Sequence, residues 1–207
     1  MVGDELLALG IALHGLRTLR DRWTAERTER TRRAAVSGLQ PVAPRRPVHQ
    51  TLHTQLGQFG VPRGWSCMDA VGLRTWRDLT QTAVIGGMTH TQIRPRPIID
   101  VTLLGSWPEP DPRDFLRLAT DFRQEMVDRY AKQHAPVRSG PGTVLVGGRP
   151  AIWVYFAGSS DGVPLLNAVT QVLVGNHIVG LQLIATATTF ELVADDFWTV
   201  VATANWG

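Results

Sequence analysis

The sequence predicts an α+β fold, an antiparallel β-sheet packed by helices, and three observations predict it. The stretch IIDVTLL (98–104) is rich in β-branched residues with partial alternation, which is strand patterning. A long meander follows, SGPGTVLVGGRPAIWVYFAGSSDGVPLLNAVTQVLVGNHIVGLQLIATAT, in which VGGRP, GSSDGV and GN supply tight turns between apolar runs. Two stretches change to helical spacing. In PRDFLRLATDFRQEMVDRYAKQH, Phe115, Leu118, Ala119, Phe122, Met126 and Tyr130 form one stripe. In TTFELVADDFWTVVATANW, Val193, Phe197, Val200, Val201 and Ala204 share a face. The order is strands, helix, antiparallel strands, helix.

Taken in chain order, residues 1–36 are predicted to be an amphipathic helix. Val2, Leu6, Leu9, Leu13, Leu16 and Trp23 follow alternating steps of four and three, with Arg20 filling one slot. The apolar run from Leu6 to Leu16 is too short to span a bilayer and contains His14. Asp4 and Glu5 stand where a signal peptide needs basic residues, and no small-residue cleavage site or lipobox cysteine follows. The stretch is therefore expected to be neither signal nor anchor, and the expected compartment is the cytoplasm, with export by a route that reads other signals left open. Residues 37–51 (SGLQPVAPRRPVHQT), with Pro41, Pro44 and Pro47, are predicted as an extended linker. The main domain is expected over 52–207. GQFGVPRGWSCM reads as an opening segment with a turn. GLRTWRDLTQTAVIGG and THTQIRPRPIIDVTLLGS read as strands. SWPEPDP is a break, and Pro112 sits early in the helix that follows it.

A hydrophobic share of 43% and a charged share of 19% suit a soluble globular protein of one domain plus an appendage. The formal net charge is +3 and nearly all the positive charge is arginine, since Lys132 is the only lysine. Residues 1–50 hold nine arginines against five acids. The acids interleave with the arginines, which reads as a solvated face and predicts no nucleic-acid partner. Contact with an anionic membrane surface stays open. One cysteine, Cys67, excludes an internal disulfide and a thiolate metal cluster. His49 and His53 are four apart but lie in a Pro-rich stretch that does not read as helix. No metal and no cofactor is implied.

The motifs FGVPRGW, IIDVTLLGS, PRDFLRLATDF, GRPAIWVYFAG, QVLVGNHIVGLQLIATAT and ELVADDFWTVVATANW, spread over residues 56–206, resemble the PsbP-like fold and, within it, the actinobacterial LpqN/LpqT-type proteins. The resemblance implies an α/β/α sandwich. It also implies a mostly non-enzymatic role as a docking or assembly module. Members of that type usually begin with a signal peptide and a lipidated cysteine, and this chain departs from that pattern.

Candidate chemistry is sparse. Ser159, Ser160 and Asp161 lie in GSSDG, where turn chemistry accounts for them without a nucleophile elbow. Asp195 and Asp196 point about a hundred degrees apart on a helix, make no dyad, and read as a solvated face. Cys67 reads as buried rather than reactive, and His177 as an exposed strand end. Trp153 and Tyr155 share one face of a strand whose other face is also apolar, so a helix or a partner must cover it. The expected function is a non-catalytic protein-binding or assembly module. Leu6, Leu9, Leu13, Leu16 and Trp23 would dock on a protein partner or a second copy. The alternative is a carrier of an apolar ligand between sheet and helices. A hydrolase using Ser159 or Ser160 is the weakest reading.

Overall fold

The computed structural model describes residues 39–106, 137–160 and 162–207. The helix expected over 1–36, with its candidate docking residues, lies outside them, as does the helix expected at 112–134. The fold class is α+β, as the patterning predicts.

Four strands come first or nearly so: β1 (Val48–Thr54), β2 (Gly57–Pro62), β3 (Trp65–Cys67) and, after helix α1 (Ala70–Thr80), β4 (Val84–His90). Strand β5 (Ile98–Ser106) follows, then the meander β6 (Val137–Val146), β7 (Arg149–Ser160), β8 (Val163–Val174) and β9 (His177–Thr186). Helix α2 (Phe190–Ala202) and the short β10 (Asn205–Trp206) end the chain. A seven-stranded sheet has the order β3-β4-β5-β9-β8-β7-β6, with every neighbouring pair antiparallel. A small sheet, β1-β2-β10, is not hydrogen-bonded into it, and Leu52 and Thr54 of β1 pack over Gly86 of β4.

Local chemistry explains the meander. Val146 pairs with Arg149 across Gly147 and Gly148, whose φ of +55° and +74° are those of a type I′ hairpin turn. Val174 pairs with His177 across Gly175 and Asn176, with Gly175 at φ +60°. On β9, Val179, Leu181, Leu183 and Ala185 are buried with a period of two. They meet the predicted face of α2, where Val193, Phe197, Val200 and Val201 have no exposed surface. Phe59 and Val61 of β2 join the same core, and Phe59 meets the Trp206 ring edge-on at 5.4 Å. Helix α2 thus lies between the small sheet and one face of the large one.

The opposite face is also covered. Ile152, Val154 and Phe156 of β7 are buried on it. A Cβ on Gly87 of β4 would meet Met68 and Leu73, which puts α1 on that side.

Two expectations change. GLRTWRDLT is helix α1, not strand, because Asp69 caps it by accepting from Gly72 N–H at 2.7 Å and Leu73, Trp76 and Thr80 recur on its inner side. The 37–51 stretch is docked rather than free from Gln40 onward, and strand pairing begins at Val48, four residues ahead of Leu52.

Candidate functional site

Helix α1 lies on the surface of the sheet. None of its residues is fully buried, and Val71 and Leu79 are 70% and 71% exposed. It is nonetheless fixed at several points. Gln81 closes it in the left-handed conformation, its N–H reaching Arg77 O at 2.8 Å. Arg77 Nε donates to Val84 O on β4. The indole N–H of Trp76 donates to Asp100 Oδ2 at 2.9 Å.

Asp100 sits in the middle of β5 and is 3% exposed. Thr102 Oγ1 donates to its other oxygen at 3.0 Å. Burial raises the Asp100 pKa, and the bonds from Trp76 and Thr102 pull against that rise. This buried acid holds the Trp76 ring in place from behind.

Beside that ring, between α1 and the β3–β4 edge, runs an open groove of about 460 Å³. Its walls are Cys67, Met68, Asp69, Gly72, Thr75, Trp76, Leu79, Thr89 and Arg96. Met68, Trp76 and Leu79 give apolar surface on the helix side, where Asp69 and Thr75 also stand, and Arg96 faces them from beyond β4. Burial pushes the Cys67 thiol up, so little of it is thiolate at neutral pH. Arg96 is exposed and has no ion-pair partner among the described residues. Apolar surface beside that arginine can hold an elongated ligand whose head is anionic, with the Asp69 carboxylate, engaged in capping α1, directing that head toward Arg96.

The remaining sequence candidates fall elsewhere. Ser159 and Ser160 are exposed at the end of β7, paired with Pro164 and Val163 of the hairpin, as turn chemistry suggested. His49 and His53 lie on β1, and His49 Nδ1 is 3.0 Å from Val61 O. His177 is half-buried rather than exposed, with Nδ1 out of contact with solvent. Trp153 and Tyr155 are covered by α2. Trp153 meets Trp198 at 5.7 Å, Tyr155 meets Phe190 at 5.3 Å, and Trp198 Nε1 donates to Tyr155 Oη at 2.5 Å. Burial raises the Tyr155 hydroxyl's pKa.

The solvated-face reading of the acid pair needs correction. Asp196 is 8% exposed and accepts from the Trp65 indole at 3.0 Å. Its pKa is raised by burial, opposed by Trp65 and Arg46. Only Asp195 faces water. Asp100 and Trp76 were absent from the sequence candidates altogether. The available signal was an acid inside the apolar run IIDVTLL, where an unpaired carboxylate would be too costly to bury.

No protein-family model matches the sequence, and no curated protein matches it. Solved structures do resemble this one. LpqN of Mycobacterium tuberculosis, described as involved in cell envelope biogenesis, is 17% identical with a TM-score of 0.48, over 81% of this chain and 89% of its own. The cyanobacterial PsbP (CyanoP) of Synechocystis is 14% identical with a TM-score of 0.47, over 76% and 93%. PA94 of Pseudomonas aeruginosa, a protein of unknown function, is 11% identical with a TM-score of 0.47, over 73% and 95%. The first two bear the names to which the motifs of residues 56–206 led, and the likeness is one of fold.

Proposed function

We propose that the chain is a non-catalytic binding module whose domain holds an apolar ligand with an anionic head in the groove beside α1. One observation carries this reading. A helix that exposes Val71 and Leu79 flanks a groove of about 460 Å³, with Trp76 and Met68 on its wall and Arg96 open to an anion. The volume is that of a small-molecule site, roughly 300–1,000 Å³. Each methylene buried there contributes about 0.8 kcal/mol before the losses of binding.

The test is a titration with a fluorescent medium-chain fatty acid, followed through tryptophan energy transfer. Saturable binding is expected. Arg96→Gln should weaken the acid roughly tenfold and leave the matching alcohol unchanged, as loss of a charge-assisted bond implies. Leu79→Arg should weaken both. No saturation, or binding indifferent to both substitutions, refutes the reading.

The N-terminal stretch supplies the second part of the proposal. Leu6, Leu9, Leu13, Leu16 and Trp23 form the docking stripe for a protein partner or a second copy. Their heptad-like spacing supports it.

A further inference from the structure

Residues 40–47 run along the domain. Leu145 N–H donates to Gln40 O at 3.0 Å, Val42 N–H donates to Leu145 O at 3.4 Å, and Pro41 bridges Leu145 in parallel. The chain enters here, at the β6 edge of the large sheet. It then crosses α2. The N–H groups of Arg45 and Arg46 both donate to the Thr199 hydroxyl, at 3.0 and 2.9 Å. That hydroxyl donates in turn to Asp195 O at 2.8 Å, so its bonding capacity is filled.

The side chains add a charged clip. Arg45 Nη1 lies 2.9 Å from Asp195 Oδ1, and its guanidinium carbon is 5.7 Å from the centre of the Trp198 ring. Arg46 lies between the two acids, at 3.7 Å from Asp195 Oδ2 and 3.9 Å from Asp196 Oδ1. The clip is half exposed. Both arginine side chains are 52% accessible and Asp195 is 43% accessible. Ion pairs of this kind are weak and are screened by salt. Pro41, Pro44 and Pro47 remove three N–H donors from the segment, which cannot join β6 as a full strand. Val42 packs against the core and Arg63 N–H donates to Pro47 O at 3.4 Å, so the segment is held by discrete points rather than by a continuous ladder.

We propose that residues 40–47 form a releasable strap: the Arg45 and Arg46 clip to α2 holds the chain entry against β6, and loss of the clip frees it while the domain stays folded. Extended, the seven residues from Gln40 to Arg46 reach about 23 Å. Release would let the region upstream of Gln40 work at that distance from the domain.

Trypsin reads the strap directly in the full chain. It cuts after Arg45, whereas Pro47 blocks cleavage after Arg46. When opening is fast, cleavage tracks the open population. Cleavage after Arg45 is quantified by mass spectrometry and normalised to a free peptide of residues 40–50. Raising NaCl from about 0.05 to about 1 M, which shortens the screening length to about 3 Å, should increase it about threefold. Asp195→Asn should raise it similarly at low salt and abolish most of the salt response. Thr199→Val should raise it about tenfold through loss of the shared acceptor. In each case trypsin cleavage after Arg63 and Arg77, inside the folded domain, should not rise with it. Cleavage that ignores both salt and Asp195→Asn overturns the proposal. So does cleavage after Arg45 that rises only together with cleavage after Arg63 and Arg77, because the segment then opens only when the domain unfolds.

Discussion

Replacing Asp100 with asparagine should stabilise the domain at neutral pH, and replacing it with alanine should destabilise it. Both carboxyl oxygens of Asp100 accept, one from the Trp76 indole at 2.9 Å and one from Thr102 at 3.0 Å. Burial raises its pKa above the ordinary value of 3.8, so the native state holds this proton more tightly than the unfolded chain. The stabilisation is then complete below about pH 3.8 and is lost as pH rises through the folded pKa. One such group gives a slope of at most about 1.4 kcal/mol per pH unit. Asparagine keeps an acceptor for Trp76 and offers its amide to the Thr102 hydroxyl, which can rotate to accept. Alanine leaves the Thr102 hydroxyl, on a residue 7% exposed, and the Trp76 N–H without partners. At about 1–3 kcal/mol for a buried orphan and less for the half-exposed indole, the loss comes to roughly 2–4 kcal/mol.

Urea unfolding of wild type and both variants from about pH 3 to about pH 8, which starts below the ordinary value, is the assay. His90 acts with the opposite sign. Burial lowers its pKa below 6.5, so its contribution is present above that value and is lost as pH falls through the folded pKa. The wild-type slope is therefore a sum, and the wild-type minus asparagine difference isolates Asp100. An asparagine variant no more stable than the alanine one at pH 7, or one with the wild-type slope, would refute the argument.

Two further predictions concern a turn and the N-terminal stripe. Gly147→Ala should lower stability by about 2–4 kcal/mol in a thermal melt. Its φ is +55° and a Cβ would stand 2.6 Å from both Ala204 O and Trp206 Nε1. Gly148→Ala, at φ +74° with nothing within 4 Å, should lose only about 1 kcal/mol, and equal losses at the two sites would contradict this reading. In sedimentation equilibrium on the full chain, self-association through the stripe requires a dimer that Leu9→Glu with Leu13→Glu converts to monomer. A monomeric wild type removes the self-association arm and leaves a different protein as the partner.

Legibility in the sequence followed the range of the interactions. The GG and GN turns, the β9 alternation and the buried face of α2 were readable because each is set by residues a few positions apart. Helix α1 was readable too, from Asp69 and the spacing of Leu73, Trp76 and Thr80, but Thr, Trp and the following VIGG run favoured a strand reading. The polar groups were a different matter. Asp196 looked like half of an exposed acid pair, yet its fate is decided by Trp65, 131 positions away. The groove exists only through the placement of α1 against β3 and β4, which no local pattern encodes.

The arginines make the same point for charge. Residues 1–50 carry nine arginines against five acids, and sequence alone weighs all nine against those neighbours. In the fold, Arg45 and Arg46 find their counter-charges 150 positions away, at Asp195 and Asp196. The basic excess of the N-terminal region is thus partly balanced by the last helix while the strap is closed. Opening the strap would return two positive charges to the N-terminal region and leave Asp195 and Asp196 on α2 without their arginine partners. A change in screening therefore acts on both parts at once: it weakens the clip and alters the charge that each part presents.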